Sequence, residues 1–480
     1  MNTPLRRLFV VFVLMFGVLV GFTSWWTVFG AQGLKDQTSN RRPLLRAQKI
    51  PRGLVLAQDG TRLATNRRFG KTRETKAYYR VYPPGRLFSH AVGYSYVSRG
   101  NAGLERYYND ALTGQHNEFT SIIDQLGGGV SQGDDLHTHL DPKAQGVAIQ
   151  ALAGRRGSIV ALDPKTGAVK VMVSIPDFDP NSIPTQFSRL NRDNVNSPLF
   201  NRATQARYPP GSTFKVVTAA AALDSGRYNP NSLVDGRNAK PISGVPLQND
   251  GGASFGTISL TDALTHSVNT VWGEVGEKLG KATMLKYMKR FGFLSEPPLD
   301  YPRTQITPSG VFRGQKLLGE NDSIDIGRVA IGQERLQVTP LQMAMVASAV
   351  ANDGVLMRPR LGDRIVSPDG SVRSRIRPRQ QTRVMSSSSA AQLRQMMSKV
   401  VEEGTGTASA LAGIRSGGKT GTAEVANGVA NQAWFIAFAP LDNPKVAIAV
   451  TVERTQGQGG TVAAPLAKLV MQSLLGGGGG

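Results

Sequence analysis

The chain has 480 residues, of which 56 are Lys or Arg and 34 are Asp or Glu, giving a formal net charge of +22. With 40% hydrophobic and 19% charged residues it can bury a sizeable core, which excludes general disorder, and its length exceeds one ordinary domain. It has no cysteine, which removes disulfides, thiol catalysis and thiolate-bound metals, and its arginines are scattered rather than interleaved with aromatics, so the basic excess reads as a solvated surface and not as a nucleic-acid interface.

Arg6 and Arg7 precede residues 8–29, a run without a charged side chain. Crossing the bilayer core takes about 20 residues, whereas a cleaved signal peptide has an apolar centre of roughly 7–15 residues and small residues at its cleavage site. Phe29 ahead of Ala31 does not fit such a site. Residues 1–30 therefore read as a cytoplasmic stub and an uncleaved anchor in the plasma membrane. The two arginines orient everything beyond residue 30 outward, with Trp25 and Trp26 at the outer interface.

A polar stretch, residues 32–48, opens a first unit spanning residues 31–140. Short apolar runs around Gly53 and Asp59-Gly60 make it strand-rich, and it carries no obvious catalytic group. A second unit, residues 141–475, begins at Asp141-Pro142, an N-cap and a first-turn proline that open a helix to about residue 153. Residues 157–162 and 168–174 flank Asp163-Pro164-Lys165-Thr166-Gly167 as a β-hairpin. Helical text covers 212–223, 259–279 and 339–351, and strand-like runs return at 432–439 and 445–453. Strands, helices and strands again predict an α+β domain whose first and last strands share one sheet. Residues 476–480 are glycines, read as a flexible tail.

Three short signals carry the chemistry. In Tyr208-Pro209-Pro210-Gly211-Ser212-Thr213-Phe214-Lys215, a turn leads into a helix, and a spacing of three puts Ser212 and Lys215 on one face. A serine hydroxyl needs a base, and a lysine of lowered pKa can serve where histidine is absent. Ser-x-x-Lys alone is expected about twice by chance in a chain of ordinary composition. Ser267-Val268-Asn269 follows helical text and can turn a hydroxyl and an amide into one cleft from a loop. In Gly418-Lys419-Thr420-Gly421-Thr422 a cation and two hydroxyls flank a glycine that lets a ligand approach the backbone. Its core tetrapeptide is the most specific of the three, expected by chance on the order of once in a hundred such chains.

Residues 413–420 also fit the phosphate-binding pattern G-x-x-x-x-G-K-[ST]. That reading requires a strand before and a helix directly after, whereas Gly421 and the turn-like Ala426-Asn427-Gly428 follow. The topology also puts the segment outside the cell, so the phosphate loop is rejected. His137 and His139 could share a strand face, but without a third ligand they read as a strand-edge pair rather than a metal site.

The three motifs, in this order and spacing, resemble the site of class B penicillin-binding proteins. Further similar segments are Arg52-Gly53, Tyr82-Pro83-Pro84-Gly85, Gly103-Leu104-Glu105, Asp179-Pro180-Asn181 and Ile331-Gly332-Gln333 with Thr339-Pro340. The resemblance implies a transpeptidase domain with an antiparallel sheet, helices on both sides and a helical subdomain, above a pedestal or dimerisation domain. It implies a D,D-transpeptidase acting on peptidoglycan stem peptides, inactivated by β-lactams and using no cofactor or metal. Ser212 would be acylated and Lys215 would take its proton. Ser267 and Lys419 would relay a proton to the leaving amine, and Asn269 would hold the substrate amide. Thr420, Gly421 and Thr422 would bind the terminal carboxylate, with the backbone N–H groups of Ser212 and Thr422 as the oxyanion hole. A multi-span membrane glycan polymerase is the implied partner. Residues 31–140 are too few for the glycosyltransferase of class A members. The rival readings are a D,D-carboxypeptidase or β-lactamase, disfavoured by the lack of a Glu-x-x-x-Asn segment between Asn269 and Lys419, and a non-catalytic sensor or scaffold, disfavoured by the intact Ser212, Lys215 and Lys419.

Overall fold

Residues 446–452 are apolar or small at every position, the pattern of a strand covered on both faces. They form strand Val446–Thr455, the centre of a five-stranded antiparallel sheet. Its neighbours in order are Gly417–Val425, Ala430–Ala439, then Val446–Thr455 itself, Gly157–Leu162 and Val169–Ile175. The last strand thus pairs with the first across nearly 300 residues of intervening chain, Val450 opposite Ile159, as the strand–helix–strand text predicts. The computed structural model describes residues 3–25, 50–70, 77–114, 132–425 and 430–476. Trp26, the polar stretch 32–48, the turn at 426–428 and glycines 477–480 lie outside these residues.

Alternation along each strand divides the core. Ile159, Ala161, Phe435, Ala437, Ile448 and Val450 face helices Pro142–Leu152 and Gly459–Leu474. Val160, Leu162, Trp434, Ile436, Ala447 and Ala449 face the other way, against helix Pro340–Ala351 and the helical subdomain. Asp141 caps the first of these helices by accepting from Ala144 N at 2.9 Å. Helix Lys215–Asp224 is buried from Lys215 to Leu223, apolar all round apart from Lys215 and Thr218. It therefore runs through the middle of the subdomain, between helix Asn269–Arg290, the short helix Ile326–Ala330 and helix Ser387–Glu402.

The pedestal sheet has six strands in the order Val372–Arg375, Gly362–Val366, Asp135–Thr138, Val55–Leu56, Arg62–Phe69, Ala77–Val81. Its first two strands come from beyond residue 360, so the pedestal is completed by a hairpin inserted late in the chain. That hairpin makes strand Asp135–Thr138 interior. His137 and His139 are therefore not an edge pair: His137 Nδ1 lies 3.1 Å from Arg364 and His139 Nε2 lies 2.5 Å from Arg360. Glu105, fully buried, takes Arg52 at 2.9 Å and Arg80 at 2.5 Å. Pairing of this kind offsets the cost of burying the three charges. Tyr82 and Asn181 exchange backbone and amide hydrogen bonds of 3.0 and 2.9 Å, and Tyr108 donates to Asp300 at 2.6 Å, which fastens the pedestal to the catalytic unit.

Among the described residues one helix, Thr3–Trp25, is long and apolar enough to cross a membrane, and none of its residues is buried. It begins earlier than the charge-free run 8–29 and includes Arg6 and Arg7 in its first turns.

Candidate functional site

The Pro209-Pro210-Gly211 turn enters a 3-10 turn, Gly211–Phe214, and only then the α-helix from Lys215. Ser212 thus stands in a tighter turn than the α-helical first turn its spacing suggests, and Lys215 opens the helix proper. Gly211 has φ +52, and a Cβ there would sit 2.5 Å from Thr422 O and 3.2 Å from Thr422 N. The backbones on either side of the two expected oxyanion donors, Ser212 N and Thr422 N, are therefore in direct contact. Gly421 is equally confined: a Cβ would lie 2.7 Å from Pro210 O and 2.8 Å from Thr213 Cγ2.

Helix Leu260–Thr265 ends in a left-handed residue, Ser267, at φ +58, with Val268 N donating to Ala263 O at 2.9 Å. A non-glycine residue in that conformation costs about 1–2 kcal/mol, and here it turns both oxygens of Ser267 on one ammonium. Lys215 Nζ donates to Ser267 O at 2.7 Å, to Ser267 Oγ at 3.2 Å and to Asn269 Oδ1 at 2.6 Å. Lys419, on strand Gly417–Val425, reaches the same Ser267 Oγ at 2.9 Å and its neighbour's carbonyl, Thr420 O, at 3.1 Å. Lys419 lies in an antiparallel strand with no helix after it, so the phosphate-loop geometry is absent.

Both lysines are completely buried. Burial holds the Lys215 ammonium well below the ordinary lysine value, and the charge of Lys419 pushes it the same way, while Asp250 opposes. Burial alone brings Lys419 down to about 7. The pair can therefore hold one neutral amine and one ammonium near neutral pH, the combination that proton transfer from a serine needs.

The remaining predicted residues flank this centre. Thr420 Oγ1 lies 2.6 Å from Thr405 Oγ1, and Thr422 Oγ1 accepts from Gly459 N at 3.1 Å. Of the eight residues expected at the site, Lys215, Ser267, Asn269 and Lys419 are joined by hydrogen bonds, and Gly421 and Thr422, following Thr420 on the strand, lie against the turn that carries Ser212.

Several neighbours were given no role from the sequence, and Asn249, Arg202, Glu453 and Trp434 lay outside every motif. Asn249 is buried, donating to Gly236 O and Ala253 O at 3.1 and 2.9 Å and accepting from Thr270 N at 3.0 Å. It pins the 248–252 loop beside Asn269, whose Nδ2 donates to Gln248 O at 2.9 Å. Tyr208 and Arg202 donate to Glu453 Oε1 at 2.5 and 2.8 Å, and Trp434 Nε1 donates to Pro209 O at 3.0 Å, which fixes the turn ahead of Ser212. Tyr208, in the Ser212 motif, and Gly332, within the segment Ile331-Gly332-Gln333, carried a hint: Gly332 O accepts from Gly211 N at 3.1 Å, and there is no room for a Cβ.

The family model described as penicillin binding protein transpeptidase domain matches residues 157–472, and that of the penicillin binding protein A dimerisation domain matches residues 52–136. A curated relative, the peptidoglycan D,D-transpeptidase PbpA of Mycolicibacterium smegmatis, is 35% identical, with 99% of each chain covered. The penicillin G acyl-enzyme complex of penicillin-binding protein A from M. tuberculosis superposes with a TM-score of 0.78 at 32% identity, covering 89% of this chain and 100% of that one. A D,D-transpeptidase domain from Eggerthella lenta gives a TM-score of 0.78 at 32% identity over 89% of this chain and 99% of that one. With both of its units matched and its two-lysine cleft in the matched domain, the chain belongs to the class B penicillin-binding proteins.

Proposed function

We propose that the chain is a peptidoglycan D,D-transpeptidase that is acylated at Ser212 by the penultimate D-alanine carbonyl of a stem peptide and by β-lactams. The observation that carries this reading is the convergence of two buried lysines on Ser267 Oγ, one of them, Lys215, standing one helical turn after Ser212 in the chain. Neutral Lys215 accepts the Ser212 proton as Oγ attacks the carbonyl. The tetrahedral oxyanion is met by Ser212 N and Thr422 N, the largest single stabilisation in such chemistry. Ser267, between the two lysines, passes a proton to the departing D-alanine amine, so the C–N bond breaks and the ester on Ser212 remains. Lys419 with Thr420 and Thr422 receives the terminal carboxylate, Gly421 between them lets the Ser212 turn lie directly against that strand, and Asn269 holds the peptide amide. An amine from a second stem peptide then takes the acyl group.

A hydrolase reading is less well supported, because no carboxylate hydrogen-bonds to the lysine–serine centre among the described residues. The division into an anchor, a pedestal of residues 31–140 and a catalytic unit of residues 141–475 belongs to the same proposal. So do an extracytoplasmic catalytic unit, which the Thr3–Trp25 helix and Arg6 and Arg7 support, and a multi-span glycan polymerase beside it. Intact mass spectrometry after penicillin treatment tests the assignment. The wild type gains one adduct mass, and Ser212→Ala gains none. A stable adduct in that variant contradicts it.

A further inference from the structure

The cleft is tied at its base by Lys419 Nζ and Ser267 Oγ, 2.9 Å apart, and at its mouth by Gln458 Nε2 and Asp250 Oδ2, 3.4 Å apart. Gln458 precedes Gly459, whose N–H is held by Thr422 on the carboxylate-binding strand. Asp250 projects from the opposite wall, next to the buried Asn249 that fixes this loop against Thr270. Its charge acts on the Lys215 ammonium from outside, whereas it makes no contact in the proton relay. Asp250 and Gln458 are both exposed, so a molecule entering the cleft meets them first. A carboxylate held there has no task in acylation by the donor strand, whose own negative carboxylate it repels. On a chain of net charge +22, an exposed carboxylate at this place draws a cation rather than an anion.

We propose that Asp250, with Gln458, is the docking site for the ammonium of the acceptor stem peptide, an inference that rests on the transpeptidase reading. The ammonium replaces Gln458 as the partner of Asp250 and loses its excess proton to water as it moves on toward the ester. The free amine nitrogen then attacks the Ser212 ester. The C–N bond forms as the C–Oγ bond breaks, and the second proton passes from nitrogen through neutral Lys215 to Ser212 Oγ. Water, which needs no ammonium site, gains nothing from Asp250, so the residue biases the acyl-enzyme toward aminolysis.

The test is partition of one acyl-enzyme between acceptors, which cancels any change in the acylation rate. Full-length protein in detergent is given an acyl-D-alanyl thioester with glycinamide, a cationic acceptor, or with hydroxylamine, which is uncharged at neutral pH, and products are counted by mass spectrometry. Asp250→Asn is expected to lower the glycinamide-to-hydrolysis ratio about tenfold, the loss of one charge-assisted hydrogen bond, while the hydroxylamine ratio holds; Asp250→Glu restores much of the former. Equal ratios in wild type and Asp250→Asn, or an equal fall for both acceptors, overturn the proposal. If the wild type itself transfers to no amine at all, it is the transpeptidase reading that fails.

Discussion

Lys215 and Lys419 donate to one hydroxyl, Ser267 Oγ, from 3.2 and 2.9 Å, although they stand on a helix and a strand about two hundred residues apart in sequence. Two buried ammonium groups sharing one partner oppose each other, so this geometry favours a single proton on the pair near neutral pH. Ser267, left-handed at φ +58, is the joint through which the two communicate.

Removing one arm of this arrangement has a defined cost. Lys419→Ala is expected to slow acylation by penicillin a hundredfold or more, since one well-placed electrostatic donor is worth about 3–4 kcal/mol in such sites. The fold is expected to persist, because a buried charge is removed rather than created. Stopped-flow acylation with a fluorescent penicillin measures the rate, and a wild-type rate in the variant excludes the role.

The same pair sets the pH dependence. Protonated Lys215 cannot accept a proton, so the second-order acylation constant rises with pH through the value of Lys215, which burial and then Lys419 hold far below the lysine norm. Lys419 loses its charge above about 7 and with it the hold on the substrate carboxylate, so the constant falls again on the alkaline side. A bell with its alkaline limb near the Lys419 value is expected. A profile that still climbs well above that value contradicts the division of labour.

Gly421→Ala separates packing from charge. The added methyl meets Pro210 O at 2.7 Å and Thr213 Cγ2 at 2.8 Å, one of them backbone, so the strand and the Ser212 turn must part. Overpacking of this kind costs about 1–3 kcal/mol. A lower melting temperature is expected, together with acylation that stays slow at temperatures where the variant is fully folded. Normal acylation in the folded variant shows that the contact between turn and strand is dispensable.

How much of this was legible depended on whether a signal was contiguous. Ser212-x-x-Lys215, Ser267-Val268-Asn269 and Lys419-Thr420-Gly421-Thr422 are each read within a few residues, and the covered strands betray themselves as unbroken apolar runs. The hairpin Gly362–Val366 and Val372–Arg375 is largely polar and exposed, with no alternation to mark it, so its place in the pedestal sheet was invisible. Helical text 259–279 ran through the break at Ser267, because serine carries no signature of a positive φ, whereas its end at 279 meets a kink, since Gly280, non-helical at φ +79, divides Asn269–Arg290 into two helical segments. Glu453 is held by Arg202 and Tyr208, more than two hundred residues away, and Asn249 by Gly236 and Thr270 as well as the nearby Ala253, so no local pattern names them.

Glu105→Ala tests the pedestal apart from the cleft. It strands Arg80, almost wholly buried, and Arg52, and breaking a buried pair costs about 3–5 kcal/mol. A marked fall in melting temperature is expected, with penicillin acylation close to wild type below the transition. Unchanged melting means that solvent reaches this triad.

The orientation of the chain can be read chemically, since it contains no cysteine to interfere. Val195, 75% exposed on the catalytic unit, is a site for a single introduced cysteine, Val195→Cys. Arg6 and Arg7 lie at the start of the Thr3–Trp25 helix, and basic residues are retained on the cytoplasmic side. A membrane-impermeant maleimide is therefore expected to label the variant in intact cells, whereas Asn2→Cys is labelled only after lysis. Hydrophobic insertion is independent of ionic strength whereas attachment through surface charge is screened, so the full-length chain is expected to stay in the membrane fraction through a high-salt wash. Removing residues 1–31 is expected to release a soluble protein that still binds penicillin, because no residue of the helix is buried against the rest of the chain. Release of the full-length chain by salt, or protection of the residue-195 cysteine in intact cells, contradicts an anchored, outward-facing catalytic unit.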